Sequence, residues 1–237
     1  MIFARSAAMA FNRWADREID SRNPRTAIRE IPAGIIKGSS ALWFIILNCL
    51  LFVATTWFIN PLCFYLSPIA LAVILGYSYT KRFTALCHFV LGLGLSLAPI
   101  GAYLAVSEAF HILPIFYSFA VLFWVSGFDI IYSMQDDQFD KNNDLYSVPV
   151  GLGKEGALKL SSVLHLVCAA CILWAGYSAG FGLWYWVGAI VFIGLLAYQH
   201  TLVKPNDLSK VNLAFFTTNG IASVLFAAFV LTELFTA

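Results

Sequence analysis

The sequence predicts an all-α, polytopic helical bundle that lies in a membrane as a single domain over residues 1–237. Three observations carry this expectation. Hydrophobic residues make up 60% of the chain and charged residues 11%, whereas a soluble domain carries roughly 25% charged residues, so a water-facing surface could not be built all round. The charges are also gathered: the runs 42–59, 91–106 and 112–128 hold no Lys, Arg, Asp or Glu. Such runs approach the ~20 residues that cross a ~30 Å hydrocarbon core. The same composition, with a net charge of +1, excludes a secreted disulfide scaffold, a disordered chain and a basic nucleic-acid binder.

Taken in order, the chain opens on MIFARSAAMAF. Arg13, Asp16, Arg17, Glu18 and Asp20 follow at once, so this start does not read as a signal peptide. Seven spans come next, at roughly 41–59, 62–80, 87–106, 112–131, 158–177, 182–200 and 213–232. Each ends at a polar, Gly or Pro cluster that interrupts an apolar helix. Cys49, Cys63, Cys87, Cys168 and Cys171 are spread through these segments, and the pair in CAAC reads as small buried hydrophobes within a span rather than half of a metal site.

All fourteen basic residues fall on one side of this arrangement. Arg5, Arg13, Arg17, Arg22, Arg25, Arg29 and Lys37 precede the first span. Lys81 and Arg82, then Lys141, Lys154 and Lys159, then Lys204 and Lys210 occupy the next segments on that side. Basic loops stay cytoplasmic, which places the C-terminus outside; Trp57, Trp184 and Trp186 suit the opposite interface. The outer turns are short, while 20–40 and 132–157 are long and polar. Chemistry is therefore expected at the cytoplasmic mouths of the helices.

Two acidic clusters sit there. Asn12, Asp16 and Asp20 are spaced four and four, which on a continuous helix puts three oxygen-bearing side chains on one face. Asp129, Tyr132, Asp136 and Asp140, at offsets of 3, 7 and 11, again lie near one helical face. Stacked carboxylates repel unless a cation sits among them. Oxygen ligands without Cys or His favour Mg²⁺ over zinc or copper, and Mg²⁺ commonly bridges carboxylates to phosphate oxygens. The expectation is a diphosphorylated ligand held between two acidic helices. Asp129, directly after an apolar span, is costly there without a function. Asp137, Asp144 and Glu155 fall off the stripes and read as solvated, and the scattered His88, His111, His165 and His200 are assigned no role. A transporter would place charge near mid-depth, where the spans have none. The D-G-x-x-A-R pattern of phosphatidyl-group transferases is absent from the sequence.

The two motifs, N-x-x-x-D-x-x-x-D and D-x-x-Y-x-x-x-D-x-x-x-D, in a polytopic chain resemble those of the UbiA family of intramembrane aromatic prenyltransferases. The runs NPRTAIREIPAG (23–34), GYSYTKRFT (76–84), APIGAYLAV (98–106) and YSVPVGLG (146–153) resemble the branch that prenylates 4-hydroxybenzoate, menaquinone-route relatives included. The resemblance implies nine helices in two pseudo-repeated halves around a cavity open to lipid. Members carry a complete first helix and most of a second before the first motif, whereas eleven residues precede Asn12. The implied fold therefore lacks the first helix and most of the second, leaving seven spans and an N-terminal helical remnant. By the same resemblance, Asn12, Asp16, Asp136 and Asp140 hold Mg²⁺, and Asp20 and Asp129 support metal or diphosphate geometry. Tyr132, Lys81, Arg22 and Arg82 contact diphosphate, while Arg25 and Arg29 anchor phosphate or the aromatic carboxylate. The implied partners are a polyprenyl diphosphate, a small aromatic acid and membrane lipid, in a bacterial inner membrane with the active face cytoplasmic. 4-Hydroxybenzoate is the favoured acceptor; another aromatic acid on a menaquinone route, and an inactive short form, remain open.

Overall fold

The computed structural model describes residues 1–236, and seven of the described helices are long and apolar enough to cross a membrane. A short helix α1 (Ile2–Ala15) and a single turn α2 (Arg17–Arg22) precede them. After an irregular stretch come α3 (Gly38–Ile59), α4 (Pro61–Thr80), α5 (Cys87–Ser107) and α6 (Ile112–Ser133). A tight 3₁₀ turn (Met134–Asp136) and α7 (Asp137–Asn142) lead to α8 (Val148–Ala179) and α9 (Leu183–Leu202). A π-helical stretch (Leu213–Thr218) then runs into α10 (Asn219–Thr236). Every expected span is present. The fifth begins earlier than hydropathy indicated: α8 starts at Val148 and bends at Gly153, where a φ of 69° breaks the helical run. A glycine takes that left-handed conformation without the Cβ clash other residues suffer.

The helix ends show how this sequence spends its few polar groups. Asn60 accepts the Cys63 N–H at 2.8 Å as the cap of α4, with Pro61 in the first turn where no donor is missed. Its amide nitrogen donates to the Leu104 carbonyl at 2.9 Å, tying the α3–α4 corner to the end of α5. Glu233 of α10 is buried at the start of α9, its carboxylate accepting the N–H groups of Gly182 (2.6 Å) and Trp184 (3.1 Å). A negative group at a helix N-terminus satisfies orphan donors and meets the favourable end of the helix dipole.

The centre of the bundle is α6, clasped between α5 and α8 through small residues. A Cβ on Gly92 of α5 would stand 2.6 Å from the Leu122 carbonyl oxygen, so the two backbones approach as only glycine permits. Ser126 Oγ bridges the same contact, donating to Leu122 O at 2.7 Å and within 3.2 Å of His88 O. On the other flank Ser161 Oγ donates to Gly127 O at 2.7 Å. Two buried clusters follow this axis. One, including Ile130, Ile131, Met134, Val148 and Leu164, lies near the end that bears the acidic motifs. The other, including Cys168, Ile172, Tyr185 and Phe192, lies toward the far end. All five cysteines are free, and Cys168 is wholly buried, as its reading as a small hydrophobe requires.

Candidate active site

Both acidic motifs occur at breaks in the helices, which corrects the expectation of two continuous stripes. α1 ends at Ala15, and Asp16 sits at the junction with backbone angles of −93° and 6° before α2 begins. In the second motif α6 stops at Ser133, and the chain tightens into the 3₁₀ turn that carries Asp136. A 3₁₀ turn rotates each residue by ~20° more than an α-helix does, so the interrupted segment re-aims Asp136 relative to Asp129. The breaks have a physical cause: these carboxylates turn toward cations on other elements instead of stacking on one another.

The result is a cavity of about 210 Å³ lined by Asn12, Asp16, Asp20, Arg25, Arg29, Lys81, Asp129, Tyr132, Asp136 and Asp140. Ten of the twelve residues expected at the site are thus brought together. Four of its five carboxylates have a basic partner. Arg29 Nη1 donates to both oxygens of Asp20 at 2.8 Å. Arg25 forks onto Asp136, with Nε 2.9 Å from Oδ1 and Nη2 on Oδ2. Lys81 Nζ lies 2.8 Å from Asp140 Oδ1, a contact that is close but poorly aligned for a hydrogen bond. Arg82 Nη2 donates to Asp16 Oδ1 at 3.3 Å and to the Ala15 carbonyl at 2.7 Å. The remaining carboxylate, Asp129, pairs with His88 Nδ1 at 2.6 Å.

Arg82 and Arg22 do not line the cavity. Arg82 reaches its rim through Asp16, its guanidinium lying 4.9 Å from the centre of the Tyr79 ring. Arg22 turns outward, exposed, and donates to the Glu18 carbonyl at 3.2 Å. At the end of the six-residue α2 it therefore lies outside the cavity where a diphosphate contact is expected. Asp137 also lies outside the cavity, 3.5 Å from Lys154.

Burial raises the Asp16 carboxyl above the ordinary carboxylate range, opposed by the hydrogen bond from Arg82 and the charges of Lys81 and Arg82. For Arg25, burial disfavours the charged form, but the bonds to Asp136 outweigh it and hold the guanidinium above its usual range. Tyr132 is fixed from two sides: Arg25 Nη1 donates to its hydroxyl at 3.0 Å, and its ring stacks on Phe215 at 4.1 Å. Phe215 comes from the π-helical stretch, a widened turn of a kind frequent at functional sites.

Sequence reasoning missed two polar residues. Asn23, buried, donates from Nδ2 to Asp136 Oδ1 at 3.0 Å while its Oδ1 accepts the Arg25 N–H; the Asn23–Pro24 pair signals the turn but not the partner. His88, 2% exposed, carried no periodic signal at all.

The donor chemistry fits Mg²⁺. Asn12, Asp16, Asp136 and Asp140 offer only oxygen and amide groups, with no thiolate, and five carboxylates face the cavity against three lining cations, Arg25, Arg29 and Lys81. Among the described residues no three His, Cys, Asp or Glu side chains converge as ligands. Each carboxylate is drawn instead to its own partner.

Known proteins share this architecture. A family model described as the UbiA prenyltransferase family matches residues 1–229. A 4-hydroxybenzoate octaprenyltransferase of Aliivibrio fischeri (strain MJ11) is 30% identical over 235 residues, spanning 96% of this chain and 79% of its own length. That of Nitrosomonas europaea is 30% identical over 236 residues, spanning 99% and 80%. Among solved structures, the apo structure of a UbiA homolog from Aeropyrum pernix K1 superposes with a TM-score of 0.91 at 30% identity, covering 98% of this chain and 86% of that one. A UbiA homolog from Archaeoglobus fulgidus bound to DMAPP and Mg²⁺ shares the fold, with a TM-score of 0.73 at 21% identity over 99% and 85% of the two chains.

Proposed function

The chain belongs to the UbiA prenyltransferase family, and on that premise we propose that this integral membrane prenyltransferase moves a polyprenyl group from polyprenyl diphosphate to the ring of 4-hydroxybenzoate in quinone biosynthesis. The observation that carries the reading is the cavity itself: carboxylates and basic side chains crowd one end of a bundle that is otherwise apolar. A diphosphate head on a long hydrocarbon tail has the same division. The choice of acceptor is supported by relatives named 4-hydroxybenzoate octaprenyltransferase that match nearly the whole chain.

Arg25, Arg29 and Lys81 line the cavity as cations paired with Asp136, Asp20 and Asp140, and would turn donors to diphosphate oxygens when it binds. Asn12, Asp16, Asp136 and Asp140 are the oxygen donors that would hold Mg²⁺, with Asp20 beside them. Bound there, Mg²⁺ would neutralise charge that develops on the departing diphosphate. Tyr132 is a fixed ring at the cavity wall, stacked on Phe215, with the Arg25 guanidinium 5.2 Å from its centre as the cation that gains from the aromatic ring. Deeper along α6, a second, apolar cavity of about 280 Å³ lined by Pro99, Tyr117, Trp124, Ile172 and Phe192 suits part of the prenyl tail. The basic residues cluster at the cavity end, which supports a cytoplasmic site in a bacterial inner membrane.

The test is to incubate membranes containing the chain with labelled polyprenyl diphosphates, Mg²⁺ and a panel of aromatic acids, and to analyse products by mass. Prenylated 4-hydroxybenzoate as the main product supports the reading. Transfer only to another acceptor, or none, contradicts it.

A further inference from the structure

Asp129 differs from every other carboxylate of the cavity. Asp16, Asp20, Asp136 and Asp140 each pair with Arg82, Arg29, Arg25 or Lys81. Asp129 is met by an imidazole alone, His88 Nδ1 lying 2.6 Å from its Oδ2. The other ring nitrogen of His88 fixes the proton on that one: Nε2 accepts the Val148 N–H at 3.2 Å. Val148 opens α8, so this N–H has no partner within its helix, and a doubly protonated ring would face it with a second donor. With Nε2 accepting, the one proton of a neutral His88 belongs on Nδ1, where it is donated to Asp129. The side chain is 3% exposed and both ring nitrogens are engaged, which holds the ring in place. Asp129 Oδ1 has no hydrogen-bond partner among the described residues, while the side chain is 22% exposed and lines the cavity.

We propose that His88 is a positioning residue that holds Asp129 with Oδ1 free toward the cavity, and that Asp129 Oδ1 takes the proton released when the aromatic ring is prenylated. This rests on the aromatic-acceptor reading above. The allylic C–O bond breaks with its electron pair leaving on diphosphate, and a π pair of the ring forms the new C–C bond. The C–H pair at the same carbon then returns to the ring as the proton passes to Asp129. The protonated carboxyl re-ionises to water as product leaves. A carboxylate already neutralised by Arg or Lys is a weaker proton acceptor, which singles out the one bound to a neutral donor. The histidine orients it, much as a donor orients the base in a catalytic dyad.

Five proteins decide the matter: wild type, Asp129→Asn, His88→Leu, His88→Gln and the double variant Asp129→Asn/His88→Leu. A glutamine amide has one donor arm and one acceptor, so it can serve Asp129 and Val148 together; leucine serves neither. Expected for His88→Leu is a fall in kcat of about ten- to a hundredfold with the KM for polyprenyl diphosphate little changed, and for His88→Gln recovery to within a few-fold of wild type. Combining Asp129→Asn with His88→Leu should cost no more than Asp129→Asn alone, because the histidine acts only through that carboxylate. With 4-hydroxybenzoate deuterated at the ring positions next to the phenol carbon, the isotope effect on kcat should rise in Asp129→Asn and in His88→Leu, which a merely structural loss would not produce. Wild-type kcat in Asp129→Asn, additive losses, or an unchanged isotope effect overturns the proposal. A direct measurement is independent of turnover: ¹⁵N-histidine NMR of the full chain in nanodiscs should show His88 protonated at Nδ1 and bare at Nε2. A ring protonated at Nε2 overturns the pairing even if prenyl transfer is robust. If no aromatic acid is prenylated, the functional reading fails, and the NMR result still decides for or against His88 as the holder of Asp129.

Discussion

Arg25 and Asp136 lie 111 residues apart in sequence, yet the guanidinium of one forks onto both oxygens of the other, with Asn23 Nδ2 donating to the same carboxylate at 3.0 Å. This joins the irregular stretch after α2 to the break after α6 and so closes the cavity from two sides. Lysine offers a point charge where a planar fork is used. Arg25→Lys should therefore raise the KM for prenyl diphosphate several-fold with a smaller change in kcat, and Arg25→Ala should raise it further. Steady-state kinetics over a range of diphosphate concentrations checks this; an unchanged KM in both variants would contradict the role given to Arg25.

At the opposite end of the bundle Glu233 seals the start of α9. In Glu233→Ala the N–H groups of Gly182 and Trp184 lose their acceptor, at a cost of about 1–3 kcal/mol. Thermal unfolding in detergent should show a lowered midpoint, while prenyl transfer per folded molecule stays near wild type because the cavity lies at the other end. Lost activity in protein that remains folded would show coupling across the bundle that this structure does not account for.

Gly92 tests the central packing. A methyl group there meets a backbone carbonyl at 2.6 Å, a contact that a side-chain shift cannot relieve. Gly92→Ala should destabilise by about 1–3 kcal/mol. By pushing α5 from α6 it should also part His88 from Asp129, so kcat falls more than the loss of folded protein explains. Gly101→Ala, where a Cβ would meet nothing within 4 Å, is the matched control and should leave both quantities unchanged.

Orientation can be read with reporters. One joined to the C-terminus should lie outside the cytoplasm, and one inserted beside Lys154 inside it. Both on the same side would overturn the seven-span count.

The spans were legible because lipid imposes a simple rule: a helix in hydrocarbon must be apolar for its whole length, and the chain marks each exit with polar or turn residues. Gly153 blurred one boundary, since hydropathy does not register a kink. The motifs were legible as clusters but not as geometry. Helical spacing set Asn12, Asp16 and Asp20 on one face, whereas the chain breaks at Asp16 and still delivers all three to the cavity. Spacing arithmetic assumes an unbroken helix, and buried carboxylates turning to basic partners on other elements break it. Arg22 is a different case: resemblance, not spacing, assigns it to the diphosphate, and its side chain lies outside the cavity. His88 stayed hidden because a single histidine in an apolar span has no period, and its partner is 41 residues away on another helix.

The central claim is that carboxylates from two helix breaks act together on a diphosphate through Mg²⁺. Prenyl transfer by Asp16→Asn, Asp136→Asn and Asp137→Asn, measured across a Mg²⁺ titration, tests it most directly. The first two keep side-chain size and remove one charge from each break, so kcat should fall by about 10²-fold or more and the Mg²⁺ requirement should rise. Asp137 faces Lys154 outside the cavity, and its variant should stay near wild type. Equal activity and equal Mg²⁺ dependence in all three variants, in protein that turns over, would contradict the two-break metal site.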